Sequence, residues 1–292
     1  MISVIIPTYN RVDLIERAIY SVLNQTYKDI EVIIVDDAST DNTQNVIESL
    51  EDQRIRYIRL DNNGGACHAR NIGIINASGY YISFLDSDDQ WASTKLEEQY
   101  QFMKEIKAEV VACNYWYEKN GMKRLAVPES HMNHFSYNEL LYENSVTTGA
   151  ILISKRALEE VGYFDENMPR YQDWDIVLRL AKIYTIYFVN KPLMTLYFQN
   201  VSISSSTSKE KKYYALEQMY KKNEIELIKD KRAHAHICWS MGLYSLYTRN
   251  VRFDLLKKGI NLDGFNVRRF LIYCATKLGC KEFVKKLYGK NH

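Results

Sequence analysis

Short β-branched runs alternate with amphipathic helical stretches through about the first 85 residues, and few architectures accommodate that rhythm. Residues 2–6 form an apolar run ended by Pro7 and read as a first strand. Ile15, Ala18, Ile19, Val22 and Leu23 recur at helical spacing, which predicts a crossover helix over 13–24. Residues 31–35 read as a second strand. Asp36-Asp37-Ala38-Ser39-Thr40-Asp41 then offers capping side chains to a helix running to Leu50. A third strand over 55–60, the turn Asn62-Asn63-Gly64-Gly65, a helix over 66–77 and a fourth strand over 80–85 complete the series. Such βα steps predict an α/β protein with a Rossmann-like, mostly parallel sheet flanked by helices, in which ligands collect at the carboxyl ends of strands.

Past residue 94 the pattern predicts a helix over 95–106, a strand over 110–117, a polar loop through Pro128, a strand over 148–154 and a short helix ending near Gly162. Tyr171-Gln172-Asp173-Trp174-Asp175 opens a further helix that turns apolar by Leu180. Ser202-Ile203-Ser204-Ser205-Ser206 reads as a linker, and beyond it the chain is helical, basic and rich in tyrosine. A catalytic domain over 1–203 is therefore expected, with a first half (1–100) and a second half (101–203), followed by a helical C-terminal region over 204–292. With 292 residues and 46% hydrophobic content, one full core and a smaller second layer are within reach. Charge divides in the same place: residues 1–200 hold 19 Lys and Arg against 28 Asp and Glu, whereas 201–292 hold 19 against 8. Opposite balances of −9 and +11 predict different partners for the two parts.

Carboxylates mark the strand ends. Phe84-Leu85-Asp86-Ser87-Asp88-Asp89 places three acids in four residues directly after the fourth strand, where unpaired charge is not tolerated in the sheet itself. An Asp-x-Asp turn there suits a hard divalent cation, Mn²⁺ or Mg²⁺, with phosphate oxygens completing its shell; a solvated acidic loop capping the next helix is the simpler alternative. Asp36 and Asp37, at the end of the second strand, either cap a helix or accept hydrogen bonds from a ribose or base. Asp173 is either a first-turn acid favoured by the helix dipole or, if brought near the acidic turn, a general base with a raised pKa.

Five segments stand in a shared order and spacing: Val4-Ile5-Ile6-Pro7-Thr8-Tyr9-Asn10-Arg11, Val35-Asp36-Asp37-Ala38-Ser39-Thr40-Asp41, Ala69-Arg70-Asn71-Ile72-Gly73, Phe84-Leu85-Asp86-Ser87-Asp88-Asp89 and Gln172-Asp173-Trp174-Asp175. Over about residues 2–200 the chain resembles family 2 glycosyltransferases of the GT-A fold, of the kind that builds bacterial polysaccharide and other cell-surface glycans. The resemblance implies a donor site formed by Pro7, Thr8, Tyr9, Arg11, Asp37, Arg70, Asp86 and Ser87, with Tyr9 beside the base and Arg70 near the diphosphate. It implies that Asp88, with Asp86, ligates Mn²⁺ or Mg²⁺ on a nucleotide-sugar, by resemblance a UDP-sugar. Thr148, Gly149 and Trp174 would belong to the sugar and acceptor pocket, and Asp173 would be the base of a single, inverting displacement that transfers a hexosyl or N-acetylhexosaminyl group. The acceptor would be a hydroxyl on a glycan, a lipid-linked glycan or a glycoprotein. Two positions depart from the family pattern: Gln172 stands where Glu is common, removing a charge beside the base, and Ser93 stands where Pro is common, which bears on loop stiffness.

Other classes fit less well. No GxGxxG follows the first strand, which disfavours a dehydrogenase, and Pro7-Thr8-Tyr9-Asn10 is not the Gly-rich basic loop of a nucleotidyltransferase. A non-catalytic sugar-nucleotide-binding or scaffold protein would be expected to lose the metal acids or the base, and all are retained. Five scattered cysteines without CxxC spacing fit a reducing cytoplasm. Met1 leads straight into a strand rather than a secretory leader, and no apolar run approaches the ~20 residues of a membrane span. In the tail, Val267, Phe270, Leu271, Cys274, Ala275 and Leu278 share a helical face, with Arg268, Arg269, Lys277, Lys281, Lys285 and Lys286 around it. That face suits an anionic membrane surface, packing on the catalytic domain, or a second subunit in a homodimer. No nucleic-acid recognition motif accompanies the charge.

Overall fold

Burial explains why the first strand carries no polar alternation: all seven residues of β1 (Ile2–Thr8) are buried, as befits a central parallel strand covered on both faces. The computed structural model describes residues 1–128, 133–198, 209–264, 266–280, 282, 284 and 285. In the first unit, α1 (Ile15–Leu23), β2 (Ile30–Asp36), α2 (Thr43–Glu48), β3 (Ile55–Arg59), α3 (Ala66–Asn76) and β4 (Tyr81–Phe84) follow β1. After these come β5 (Gln90–Trp91), α4 (Lys95–Ile106), β6 (Val110–Lys119), β7 (Met122–Leu125), β8 (His134–Phe135) and α5 (Tyr137–Tyr142). A 3₁₀ turn (Thr148–Ala150), β9 (Ile151–Ser154), α6 (Lys155–Val161), α7 (Gln172–Ala181) and β10 (Ile186–Tyr197) close the unit. The strand order is β3-β2-β1-β4-β9-β6-β10-β5. The first four strands are parallel, β9 is antiparallel to both β4 and β6, and β6 and β10 are again parallel. The order reverses between β1 and β4, so the crevice between their carboxyl ends is the switch point where ligands bind in open α/β sheets.

β5, β8 and α5 have no counterpart in the sequence reading, and three more elements differ from it. The polar loop after β6 is a hairpin, because Asn120 and Gly121 both take positive φ (52° and 78°) and so make the two-residue turn that matches strand twist. β10 was not expected, since Pro192 sits inside it; register shifts on either side of Pro192 absorb the missing N–H as a bulge. Thr148–Ala150 is a 3₁₀ turn and not the start of a strand.

Lys95 is fully buried, its ammonium 3.9 Å from the centre of the Trp91 ring and 3.2 Å from Ser83 Oγ. Burial pushes its pKa down from 10.5 to about 8. The unfolded chain therefore holds this proton more tightly between those values, and the Lys95 contribution makes stability rise with pH from about 8. Lys95→Met is expected to raise stability at pH 7 by about 1–3 kcal/mol, the lower end allowing for the lost ring contact, and to remove that rise. Urea midpoints of both proteins at pH 7, 8 and 9 check this; a less stable variant with an unchanged slope refutes it.

The second unit takes in Leu141–Glu143, Asn167–Tyr171 and the C-terminal helices. These are α8 (Lys209–Lys222), α9 (Glu224–Lys229), α10 (Lys231–Tyr244), α11 (Phe253–Asp263) and α12 (Val267–Lys277). Trp239, Leu246, Leu256, Ile260, Ile272 and Val284 form its core. The expected linker over 202–206, and with it the boundary at 203, lies outside the described residues, as do Lys281 and Lys286. Among the described residues no helix is long and apolar enough to cross a membrane.

Candidate active site

Each motif folds as it does because its side chains satisfy the backbone of the next. Thr8 pairs with Asp36 across β1 and β2, and the Asp37 N–H donates to the Thr8 carbonyl at 2.9 Å. The loop after β1 is stitched to the loop after β2. Asn10 (φ 51°) and Arg11 donate backbone N–H groups to Ser39 Oγ (2.9 Å) and Thr43 Oγ1 (3.0 Å), and Asn10 Oδ1 accepts from the Thr40 N–H at 2.8 Å. Pro7 and Thr8 are thereby held at the switch point, and Tyr9 is left exposed. Thr8 Oγ1 is buried without a hydrogen-bond partner, an orphan of the kind ligands satisfy.

The Asp36-Asp37 pair divides its work. Asp36 is fully buried and accepts from the Tyr57 hydroxyl (2.7 Å) and the Ser39 N–H (2.8 Å), with Arg59 at 3.7 Å, so its role is internal. Asp37 accepts from the backbone N–H groups of Gly64 and Gly65, both at 2.7 Å, and so pins the turn that precedes α3. Each carboxylate oxygen keeps a second acceptor direction for a ligand.

At the acidic turn charge is partly compensated. Asp86 pairs with Arg70 at 2.6 Å, Asp88 lies 3.9 Å from Arg11, and buried Asp89 accepts from the Tyr197 N–H at 3.0 Å. Burial, then repulsion from Asp86, holds the Asp88 carboxyl above the usual range against the pull of Arg11; burial followed by Asp86 and Asp88 does the same, more strongly, to Asp89. Ser87 is buried between them. A divalent cation at Asp86 and Asp88 would relieve this repulsion, and the donor set is all oxygen, so these residues fit Mn²⁺ or Mg²⁺. Among the described residues no three of His, Cys, Asp and Glu converge as a metal-binding group.

Sequence reasoning missed Arg17 and Tyr197. Arg17 reaches from α1 to donate to the Asp88 carbonyl, and its guanidinium stacks 3.9 Å from the centre of the Tyr197 ring. Tyr197 in turn gives its hydroxyl to Gln90 at 2.9 Å, tying the end of β10 to the acidic turn. Nothing in the spacing links α1 to β10, and β10 itself was hidden by Pro192. Ser93, the departure from proline, has its carbonyl held by the Thr26 N–H at 2.8 Å, so this loop is braced by another means.

Arg70 joins the turn to Asp173. It lies 5.4 Å over the Phe164 ring, pairs with Asp86, and both Arg70 and Asp86 act electrostatically on Asp173. Asn71 exchanges hydrogen bonds with the Phe164 backbone, both at 2.9 Å, and donates to Glu166 at 2.7 Å, which keeps Phe164 in place. Gly73 lets α3 press on β1, because a Cβ there would lie 2.4 Å from Ile5 Cγ2. Asp173, near the start of α7, accepts from Asn144 Nδ2 and from the Trp174 N–H, both at 2.9 Å. Burial raises its pKa against those two hydrogen bonds and the attraction of Arg70, while Asp86 pushes the same way as burial. A carboxylate so placed is a stronger base than a solvated one.

The remaining candidates are packed among protein groups. Gly149 admits Met194, whose Cε would lie 2.6 Å from an added Cβ, and its carbonyl accepts from Trp91 Nε1 at 3.0 Å. Thr148 is buried beside it, and Trp174 donates its indole N–H to the Leu140 carbonyl at 2.6 Å. Asp175 pairs with Arg179 at 2.9 Å and has no part in the acidic cluster.

Comparison with known proteins gives the family and the fold. The family described as Glycosyl transferase family 2 matches residues 3–162. TuaG of Bacillus subtilis, named for teichuronic acid biosynthesis, is 36% identical over 220 residues, covering 73% of this chain and 84% of that protein. The Escherichia coli protein named UDP-Glc:alpha-D-GlcNAc-diphosphoundecaprenol beta-1,3-glucosyltransferase WfaP is 32% identical over 238 residues, 82% of this chain and 90% of its own length. Among solved structures, S. aureus TarS 1-349 in complex with UDP-GlcNAc superposes with a TM-score of 0.69 at 19% identity, covering 100% of this chain and 92% of that one. Mannosyltransferase PcManGT from Pyrobaculum calidifontis, in complex with GDP-Man and Mn²⁺, gives 0.60 at 19% identity, with 99% and 88% covered. The two structural likenesses establish the GT-A type of fold.

Proposed function

The chain belongs to glycosyl transferase family 2, and from that premise we propose that it transfers a sugar from UDP to a hydroxyl of a lipid-linked cell-surface glycan, at the inner face of the membrane, with inversion at the anomeric carbon. The observation that carries the reading is the Asp86–Arg70 pair of 2.6 Å, both members of which act electrostatically on Asp173. UDP and a diphospholipid-linked acceptor are supported by the name of WfaP, and cell-surface glycan synthesis by that of TuaG.

The chemistry follows from these residues. Pro7, Thr8 and Tyr9 face the base and ribose, with Asp37 and Ser87 supporting. Arg11 and Arg70 place positive charge at the diphosphate. Mn²⁺ or Mg²⁺ on Asp88 and Asp86 would supply further charge to the departing nucleoside diphosphate. Asp173 takes the proton of the acceptor hydroxyl; the acceptor's oxygen forms the bond to the anomeric carbon from the side opposite the diphosphate, and the electron pair of the broken C–O bond leaves with the phosphate. Gly149, Thr148 and Trp174 act on the sugar and acceptor pocket by holding its walls.

A panel of nucleotides and nucleotide-sugars with Mn²⁺ tests this, read by thermal shift and by release of nucleoside diphosphate. UDP-sugars are expected to raise the melting temperature and to be hydrolysed slowly, both effects being abolished by EDTA. A preference for GDP would overturn the donor assignment, and binding without turnover across acceptors would favour a sugar-nucleotide-binding protein.

A further inference from the structure

Helix α12 is apolar on two faces, and among the described residues one of them packs on the core of the second unit. Ile272 and Thr276 are buried, and Tyr273 and Ala275 pack against the core of the second unit. Arg269 belongs to this inner side as well: it pairs with Asp263 at 2.7 Å and lies 5.2 Å over Trp239. The sequence reading had put Ala275 on the free face and Arg269 at its margin; the structure turns both inward. The opposite face carries Val267, Leu271, Cys274 and Leu278, spaced i, i+4, i+7, i+11, one line along a helix. Val267, Leu271 and Leu278 are 60%, 61% and 81% exposed, an unusual state for three aliphatic side chains in one line.

We propose that this stripe docks the protein on an anionic lipid bilayer, with Val267, Leu271, Cys274 and Leu278 entering the interface and Arg268 and Lys277 flanking them toward the headgroups. Charge selects this occupant: no acid stands between Asp263 and Glu282, and residues 201–292 carry 19 Lys and Arg against 8 Asp and Glu. A helix lying in the interface combines such an apolar line with cations that anionic lipid attracts. Size argues against a second copy of the chain. Eleven residues rise about 16 Å, and a strip of one helix width offers roughly 160 Å², far below the ~800 Å² a side of a stable protein interface. The proposal rests on the preceding reading only in that a lipid-linked acceptor resides in a membrane, and docking is measured without donor or acceptor so that the two readings fail separately.

The experiment is sedimentation of the full chain with vesicles of phosphatidylcholine alone or with about a third phosphatidylglycerol, at low and high salt. The wild-type protein is expected to partition at least about tenfold better into the anionic vesicles and to be released by salt. The double variant Leu271→Glu/Leu278→Glu, which alters only exposed side chains, should lose about tenfold of that binding with an unchanged melting temperature. Ile225→Glu, at a 68% exposed site on α9, should bind as the wild type does. UDP-sugar hydrolysis in solution is expected to be the same in all three. Equal binding to neutral and anionic vesicles would overturn the proposal. So would undiminished binding by the double variant, or a wild-type dimer that the double variant dissolves while vesicles are ignored.

Discussion

Asp173→Asn is expected to lower sugar transfer by about 10³-fold or more while leaving UDP-sugar affinity within about threefold, because a positioned base contributes roughly 10²–10⁴ and an amide cannot take the proton. The carboxylate is held by Asn144 and by the Trp174 N–H, and burial keeps its pKa above the ordinary value. As a base it must be ionised, so transfer in the wild type should fall as pH drops through that raised pKa, in a limb lying above the usual carboxylate range. The stability sign is opposite. A carboxyl whose folded pKa is raised holds its proton more tightly folded than unfolded, so its contribution to stability falls as pH rises above 3.8. The Asn variant should therefore melt no lower than wild type at neutral pH, and loss of activity with intact melting separates a lost base from a lost fold. If Asp173→Asn retained near-full transfer while Asp88→Ala abolished it, the base would have to be sought elsewhere.

Asp88→Ala carries the second large effect. Asp88 is raised by burial and by Asp86 and faces only partial compensation from Arg11 at 3.9 Å, so in the apo protein its charge works against the fold. Removing it relieves that repulsion. Stability at neutral pH should hold or improve, while Mn²⁺-dependent affinity for UDP and the transfer rate should each fall by about two orders of magnitude. Calorimetric titration of UDP with and without Mn²⁺, on wild type and variant, reads the first directly. A variant whose Mn²⁺-dependent UDP affinity stayed within about threefold of wild type would remove Asp88 from the metal site. Asp89 serves as an internal contrast, since its carboxylate is committed to the Tyr197 N–H and works through the position of β10.

The parallel half of the sheet was legible because its signals are local. Apolar runs of strand length, helical periodicity and glycine or acid turns each fall within a few residues, so β1 to β4 and α1 to α3 were anticipated to within a few positions. β10 was not, because Pro192 reads as a breaker unless the partner strands that accommodate a bulge are known. Residue chemistry was legible in the same uneven way. The carboxylates at the strand ends could be identified as a group, but the different duties of Asp36 and Asp37 depend on Tyr57, Gly64 and Gly65, which lie 20 to 30 residues away. Arg17 and Tyr197 are 180 residues apart in sequence and stack on one another beside Asp88.

By itself the sequence determined the class of fold, the family, and the division of charge between an acidic first part and a basic tail, since periodicity, composition and ordered motifs are properties of the chain alone. Only the tertiary structure decided which acids are committed to holding loops, that Arg70 pairs with Asp86 within the field of Asp173, and which face of α12 is spent on packing. A hydrogen bond, a burial or a Coulomb interaction belongs to a distance in space, and the strand order that sets those distances comes from pairing across the whole sheet.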